Sequence, residues 1–285
     1  MRPKHFLTTL LAGFRPPPPP VPEQPAMAPR DQLSTWVLAE PRPGLRLWVD
    51  LGDYGVSRPC LMNRFEPDET AFVERYLRPG MSFVDIGANI GWFSLIAARL
   101  VGPTGHVVAI EPRPDSAERL AMSAAENGLA NIRTLRLALA AEVGRSKVGA
   151  HLAGANTGGT WLITTPELAR TMAVDHQLFD VDVGRLDDID LPACDLLKID
   201  VEGAEHLVLQ GGRKTLARHR PAILSEINPE PLRKVSGVAV GEYLDLLGGL
   251  NYRPHRLGPG GRTEAVDRAS LLGTTGSQNF VFLPT

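Results

Sequence analysis

The chain has 285 residues, 43% hydrophobic and 22% charged, with a formal net charge of −2. That composition supports the full core of one α/β domain and supplies no basic face for a phosphate backbone, so nucleic acid is not an expected partner. Its two cysteines, Cys60 and Cys194, are too few for a disulfide framework or a zinc site and point to a reducing compartment.

Residues 1–35 differ in kind from the rest. An apolar stretch, Phe6–Phe14, follows Arg2 and Lys4 and runs into Pro16–Pro20. Ala26-Met27-Ala28 has the small residues of a secretory cleavage site. Two threonines break the apolar stretch, however, and the five-proline run Pro16–Pro20 stands between it and that site. The segment reads as a disordered, proline-rich arm of polyproline character. Nothing in the chain approaches the ~18 apolar residues of a membrane span.

Residues 36–80 read as a small extension that packs on the core. Leu45–Val49 and Leu51, ended by Gly52-Asp53-Tyr54-Gly55, suggest a hairpin. Glu66–Leu77 is expected as a helix, closed by Pro79-Gly80.

The main domain is expected over residues 81–285. Phe83, Val84 and Ile86 form a short buried-strand run, broken at Gly87 within D-I-G-A-N-I-G. Gly91 then opens a helix whose apolar residues Phe93, Ile96, Ala97 and Leu100 share one face. The next apolar run, H-V-V-A-I, ends on Glu111. Parallel strands lie ~4.8 Å apart, so the turn and Glu111 should line one crevice at the strand ends. A carboxylate there can accept from both hydroxyls of a ribose.

The turn narrows the nucleoside. A dinucleotide fold needs small residues where this chain has Asn89 and Trp92, and Arg213-Lys214-Thr215 lacks the glycine that precedes a phosphate-loop lysine. A ligand with ribose and adenine but no phosphates fits better, and S-adenosylmethionine is such a ligand.

Downstream, Ala117, Leu120, Ala121 and Ala124 keep helical spacing before Asn127-Gly128, and Ile132–Leu139 is expected as a third strand. Gly144–Thr160 reads as glycine-rich with short β-like pieces, most flexible at Asn156-Thr157-Gly158-Gly159. Leu196–Val201 is the fourth core strand and Ala222–Ile227 the fifth. Val240–Leu247 is a helix, and Tyr252–Leu257 and Phe280–Leu283 are the last strands. Alternating strands and helices imply a mainly parallel, doubly wound sheet.

The combination of D-I-G-A-N-I-G with K-I-D-V-E-G-A-E at Lys198–Glu205 resembles the FkbM family of S-adenosylmethionine-dependent methyltransferases. Leu186-Asp187-Asp188, P-A-I-L-S-E-I at Pro221–Ile227 and the terminal N-F-V-F-L-P extend the likeness from about Gly55 to Pro284. Leu137-Ala138 departs from it, since many relatives carry Asn or Val before that alanine. The resemblance implies a class I, Rossmann-like α/β fold with a seven-stranded sheet, its last strand antiparallel. It also implies O-methylation of a sugar, glycan or polyketide-like small molecule in the cytoplasm.

Asp85, Gly87, Asn89, Gly91, Glu111 and Ala138 are the expected cofactor-binding residues. Asp200 and Glu202 are the expected catalytic pair, pointing the same way at the fourth strand's end. Two alternatives stand for Glu202 and Glu226: Glu202 as a cap of the following helix, and Glu226 as substrate-facing or a solvated strand end. His206 is expected on an exposed helix face, and Asp180-Val181-Asp182 as solvated strand alternation. Rival functions are a nicotinamide-dependent oxidoreductase and a non-catalytic cofactor-binding module.

Overall fold

A computed structural model describes residues 35–151 and 158–285. The proline-rich arm and Asn156-Thr157 lie outside the described residues.

The extension is a hairpin of β1 (Trp36–Arg42) and β2 (Leu45–Asp50), turning at Pro43-Gly44. Leu45, Leu47 and Val49 alternate inward and are buried, which fixes its register. The helix Pro67–Tyr76 follows, with Pro67 at its first position and Glu66 in the left-handed region at φ +40°.

The central sheet uses β3 (Ser82–Ile86), β4 (His106–Ile110), β5 (Ile132–Leu135), β10 (Leu196–Ile199), β11 (Ala222–Ile227), β12 (Tyr252–Gly258), β13 (Arg262–Ala265) and β14 (Gln278–Pro284). Their order is β13-β12-β14-β11-β10-β3-β4-β5. β11, β10, β3, β4 and β5 run parallel, and β14 inserts antiparallel beside β11. Among the described residues the sheet has eight strands rather than seven. The additional one, Arg262–Ala265, is exposed along its length and pairs with β12 through its backbone, so it carries no apolar alternation.

The third strand is also shorter than expected. β5 stops at Leu135, and Ala138-Leu139 (β6) leaves for a second sheet with β7 (Gly144–His151), β8 (Thr160–Leu162) and β9 (His176–Gly184), ordered β6-β9-β7-β8. The stretch read as short β-like pieces thus belongs to a separate four-stranded sheet. In β9, Asp180 and Asp182 face solvent and pair with Lys147 and Arg145, as alternation predicts.

Both faces of the central sheet are covered. Val84, Ile86, Val108, Ile110, Leu197 and Ile199 join one apolar core. Phe83, Val107, Leu196 and Leu224 join another with the helix Trp92–Val101. Lys198 and Asp85 stand opposite each other in register within this second layer.

Gly87 has φ +84°, and a Cβ there would lie 1.8 Å from the carbonyl oxygen of Asp200. The glycine is therefore required by the neighbouring strand's backbone, not by ligand approach alone. Gly91 has φ +96°, with Leu120 at 2.8 Å from where its Cβ would be.

Candidate functional site

A cavity of about 200 Å³ opens at the carboxyl ends of β3, β4, β10 and β11. Gly87, Asn89, Glu111, Ala138, Asp200 and Glu202 all line it. Asp85 and Gly91 do not. Asp85 is 1% exposed and accepts from Ser94 Oγ at 2.6 Å, with its other oxygen buried and without a hydrogen-bond partner among the described residues.

At one end of the cavity, each oxygen of Glu111 accepts one backbone N–H: from Asn89 at 2.9 Å and from Arg113 at 2.8 Å. Burial pushes the Glu111 carboxyl up to about 7, against the pull of those two bonds. Each oxygen keeps a lone pair for a further donor. Asn89, at φ +49°, holds a buried Oδ1 with no hydrogen-bond partner among the described residues. Ile110, Leu137, Leu139, Val148 and Leu162 supply an apolar wall at this end.

The other end is crowded with acids. Asp200 and Glu202 follow β10, Glu226 lies in β11, and Glu66 comes from the extension. Lys198 lines the same end, 3% exposed. Its Nζ donates to Asp200 Oδ2 at 2.7 Å and lies 4.7 Å from the centre of the Phe93 ring. Burial lowers the Lys198 pKa, but Asp200, Glu66 and Asp85 overcome this and hold the ammonium charged. Burial raises Glu202 to about 9, reinforced by repulsion from Asp200 and Glu226. Glu66 and Glu226 are raised as well, by burial first and by Asp200.

Three expectations for this end need correction. β10 ends at Ile199 and Glu202 has φ +50°, so strand alternation does not set the direction of Glu202. Glu202 does not cap the next helix either: Glu205 Oε1 accepts from the N–H groups of Val201 and Gly203, both at 3.1 Å. His206 is 7% exposed, so it is buried rather than on an open helix face. Glu226 lines the cavity and accepts from Ser277 Oγ.

Glu66 and Lys198 were not selected from the sequence as site residues. The available signals were a lysine inside the apolar strand L-L-K-I and a glutamate directly before a helix-starting proline. Among the described residues, no group of three or more His, Cys, Asp or Glu side chains is placed to hold a metal ion. None of the described helices is long and apolar enough to cross a membrane.

The profile of the methyltransferase FkbM domain matches residues 85–254. The chain belongs to the FkbM methyltransferase family. Its fold is that of the class I methyltransferases, and its cofactor is S-adenosylmethionine. The site fits this group, with an acid at the end of β4, an unpartnered Asn89 Oδ1 and an apolar wall beside them.

Among solved structures, the FkbM methyltransferase of Methylobacillus flagellatus KT is 18% identical with a TM-score of 0.44. That similarity covers 80% of this chain and 52% of that one. A SAM-dependent O-methyltransferase of Thermotoga maritima is 17% identical with a TM-score of 0.42, covering 77% and 66%. Among curated proteins, the 23S rRNA (uracil(1939)-C(5))-methyltransferase of Acinetobacter baylyi is 29% identical over 110 residues, 39% of this chain and 22% of that protein. The ribosomal RNA large subunit methyltransferase E of Alkalilimnicola ehrlichii is 36% identical over 80 residues, 26% and 38%. The chain thus spans less than two fifths of the length of either curated relative.

Proposed function

We propose that this FkbM-family protein transfers a methyl group from S-adenosylmethionine to a hydroxyl of a sugar, glycan or polyketide-like small molecule. The observation that carries this reading is Asp200, set against Lys198 one strand away from the Gly87 turn. One of its oxygens is committed to Lys198, which leaves Oδ1 to meet an acceptor hydroxyl.

When bound, the cofactor supplies an electrophilic methyl and a neutral thioether leaving group. Glu111 would accept the ribose hydroxyls, Gly87 and Asn89 would form the turn that holds the ligand, and Ala138 would line the adenine side. Asp85 and Gly91 lie off the cavity and act indirectly, Asp85 through Ser94 and Lys198 and Gly91 by opening the helix. Asp200 orients the acceptor hydroxyl and takes its proton as the oxygen is methylated. Glu202, largely protonated at neutral pH, is suited to donating a hydrogen bond rather than to acting as a second base.

Both curated relatives named above are ribosomal RNA methyltransferases by name. Against an RNA acceptor here stand the carboxylates of Glu66, Asp200 and Glu226 around one lysine, which oppose a polyanion. The test is thermal shift with S-adenosylmethionine, its demethylated product and NADH, followed by methyl-labelled transfer to hydroxyl-bearing small molecules. Stabilisation by the first two and label recovered in an ether are expected. Stabilisation by NADH alone, or label recovered in RNA, would overturn the reading.

A further inference from the structure

We propose that the acceptor carries a protonated amine beside the hydroxyl to be methylated, and that Glu66 and Glu226 hold this ammonium, as for an amino sugar. The proposal rests on the methyl-transfer reading of the same cavity.

The sheet order gives the cavity a direction. Along β4, β3, β10 and β11 stand Glu111, Gly87, Asp200 and Glu226. At ~4.8 Å per strand, Glu226 is roughly 14 Å across the sheet from the nucleoside end. The acids of β10 and β11 therefore border the acceptor, not the ribose.

Two buried oxygens at that end lack a donor. Glu66 Oε2 and Glu226 Oε2 are out of contact with solvent and have no hydrogen-bond partner among the described residues. Glu226 Oε1 is satisfied by Ser277, so its carboxylate is held in place with one oxygen left over. A buried oxygen without a donor is costly, and an acceptor that brings donors removes that cost.

Charge selects the kind of donor. Lys198 is the one cation among the described residues that line the cavity, and Asp200 already engages it at 2.7 Å. With Glu202 largely protonated, Lys198 and the cofactor's sulfonium together offset two of the three remaining carboxylates. A neutral hydroxyl would satisfy the lone pairs but leave the like-charge repulsion. An acidic acceptor would increase it. An ammonium satisfies both, with several donors on a compact charge. Phe65 lines the same end, its ring 6.2 Å from that of Phe93, and an aromatic beside carboxylates favours a cation further.

The experiment is calorimetry on the full chain saturated with S-adenosylhomocysteine, titrated at pH 7 with glucosamine, glucose and glucuronate. Glucosamine should bind about tenfold or more tightly than glucose, the size of one charge-assisted hydrogen bond, and glucuronate should not bind. The double variant Glu66→Gln, Glu226→Gln should bring the two sugars together in affinity while S-adenosylhomocysteine still binds. Equal affinities in the wild type would overturn the proposal, and would mean that the cofactor's own amine answers these carboxylates. Failure of any sugar to bind, or a preference that survives the double variant, would overturn it too. Failure of S-adenosylhomocysteine to bind would overturn the methyl-transfer reading and this proposal with it.

Discussion

Lys198 and Asp200, two residues apart, form an ion pair of 2.7 Å at the end of β10, the lysine 3% exposed and the aspartate open to the cavity. The pair is asymmetric. Removing Lys198 strands Asp85 and Asp200 without their shared cation, whereas removing the Asp200 charge leaves Lys198 with Asp85 and Glu66.

Lys198→Met is therefore expected to cost about 3 kcal/mol, a Tm loss of roughly 10 °C. Asp200→Asn should cost about 1 kcal/mol or less. Its effect should fall on turnover instead, about 10²-fold, with little change in cofactor affinity. Differential scanning calorimetry and labelled-methyl transfer separate the two. Loss of cofactor binding in Asp200→Asn would move Asp200 into the cofactor site.

Glu111→Ala should weaken S-adenosylmethionine binding about a hundredfold, the loss of two charge-assisted hydrogen bonds at ~1.5 kcal/mol each. The same change frees the N–H groups of Asn89 and Arg113, so the turn should loosen as well. Calorimetric affinity equal to wild type would remove the ribose role.

Gly87→Ala and Gly128→Ala share a positive φ but differ in surroundings. At Gly87 the new Cβ meets the Asp200 carbonyl oxygen at 1.8 Å; at Gly128 it meets nothing within 4 Å. The first should cost about 3 kcal/mol or more and the second about 1 kcal/mol. Equal melting temperatures would show that the β3–β10 contact is looser than described.

The ligand-free protein should lose stability as pH rises. Burial first of all raises Glu111 to about 7, Glu205 to about 8 and Glu202 to about 9, from an ordinary 4.5. Above 4.5 the unfolded chain has released protons that the folded chain still holds, so stability falls from about pH 4.5 to 9. Glu202→Gln imitates the protonated acid and should flatten the upper part of that fall. A Tm that climbs with pH through this window would contradict the burial of these groups.

The strand–turn–helix around Gly87 and the acid ending β4 were legible in the sequence because each is a local signal. Apolar runs, a glycine turn and helical spacing lie within thirty residues of one another, and parallel pairing then sets them side by side. Asp200 was legible for the same reason, as the residue ending a run of core strand. The sequence by itself thus determined the fold class and the glycine turn and acid that line one end of the cavity. Three things depended on the tertiary structure. Alternation could not aim Glu202, because the strand ends at Ile199 and the backbone turns left-handed. The second sheet draws Ala138-Leu139 away from β5 by pairing with Val183-Gly184, a partner more than forty residues distant. The gathering of Glu66, Asp200, Glu202 and Glu226 around Lys198 spans 160 residues of chain. Such a cluster is set by where strands and helices pack, and its raised carboxyl pKa values arise from burial and mutual repulsion that exist only once the chain has folded.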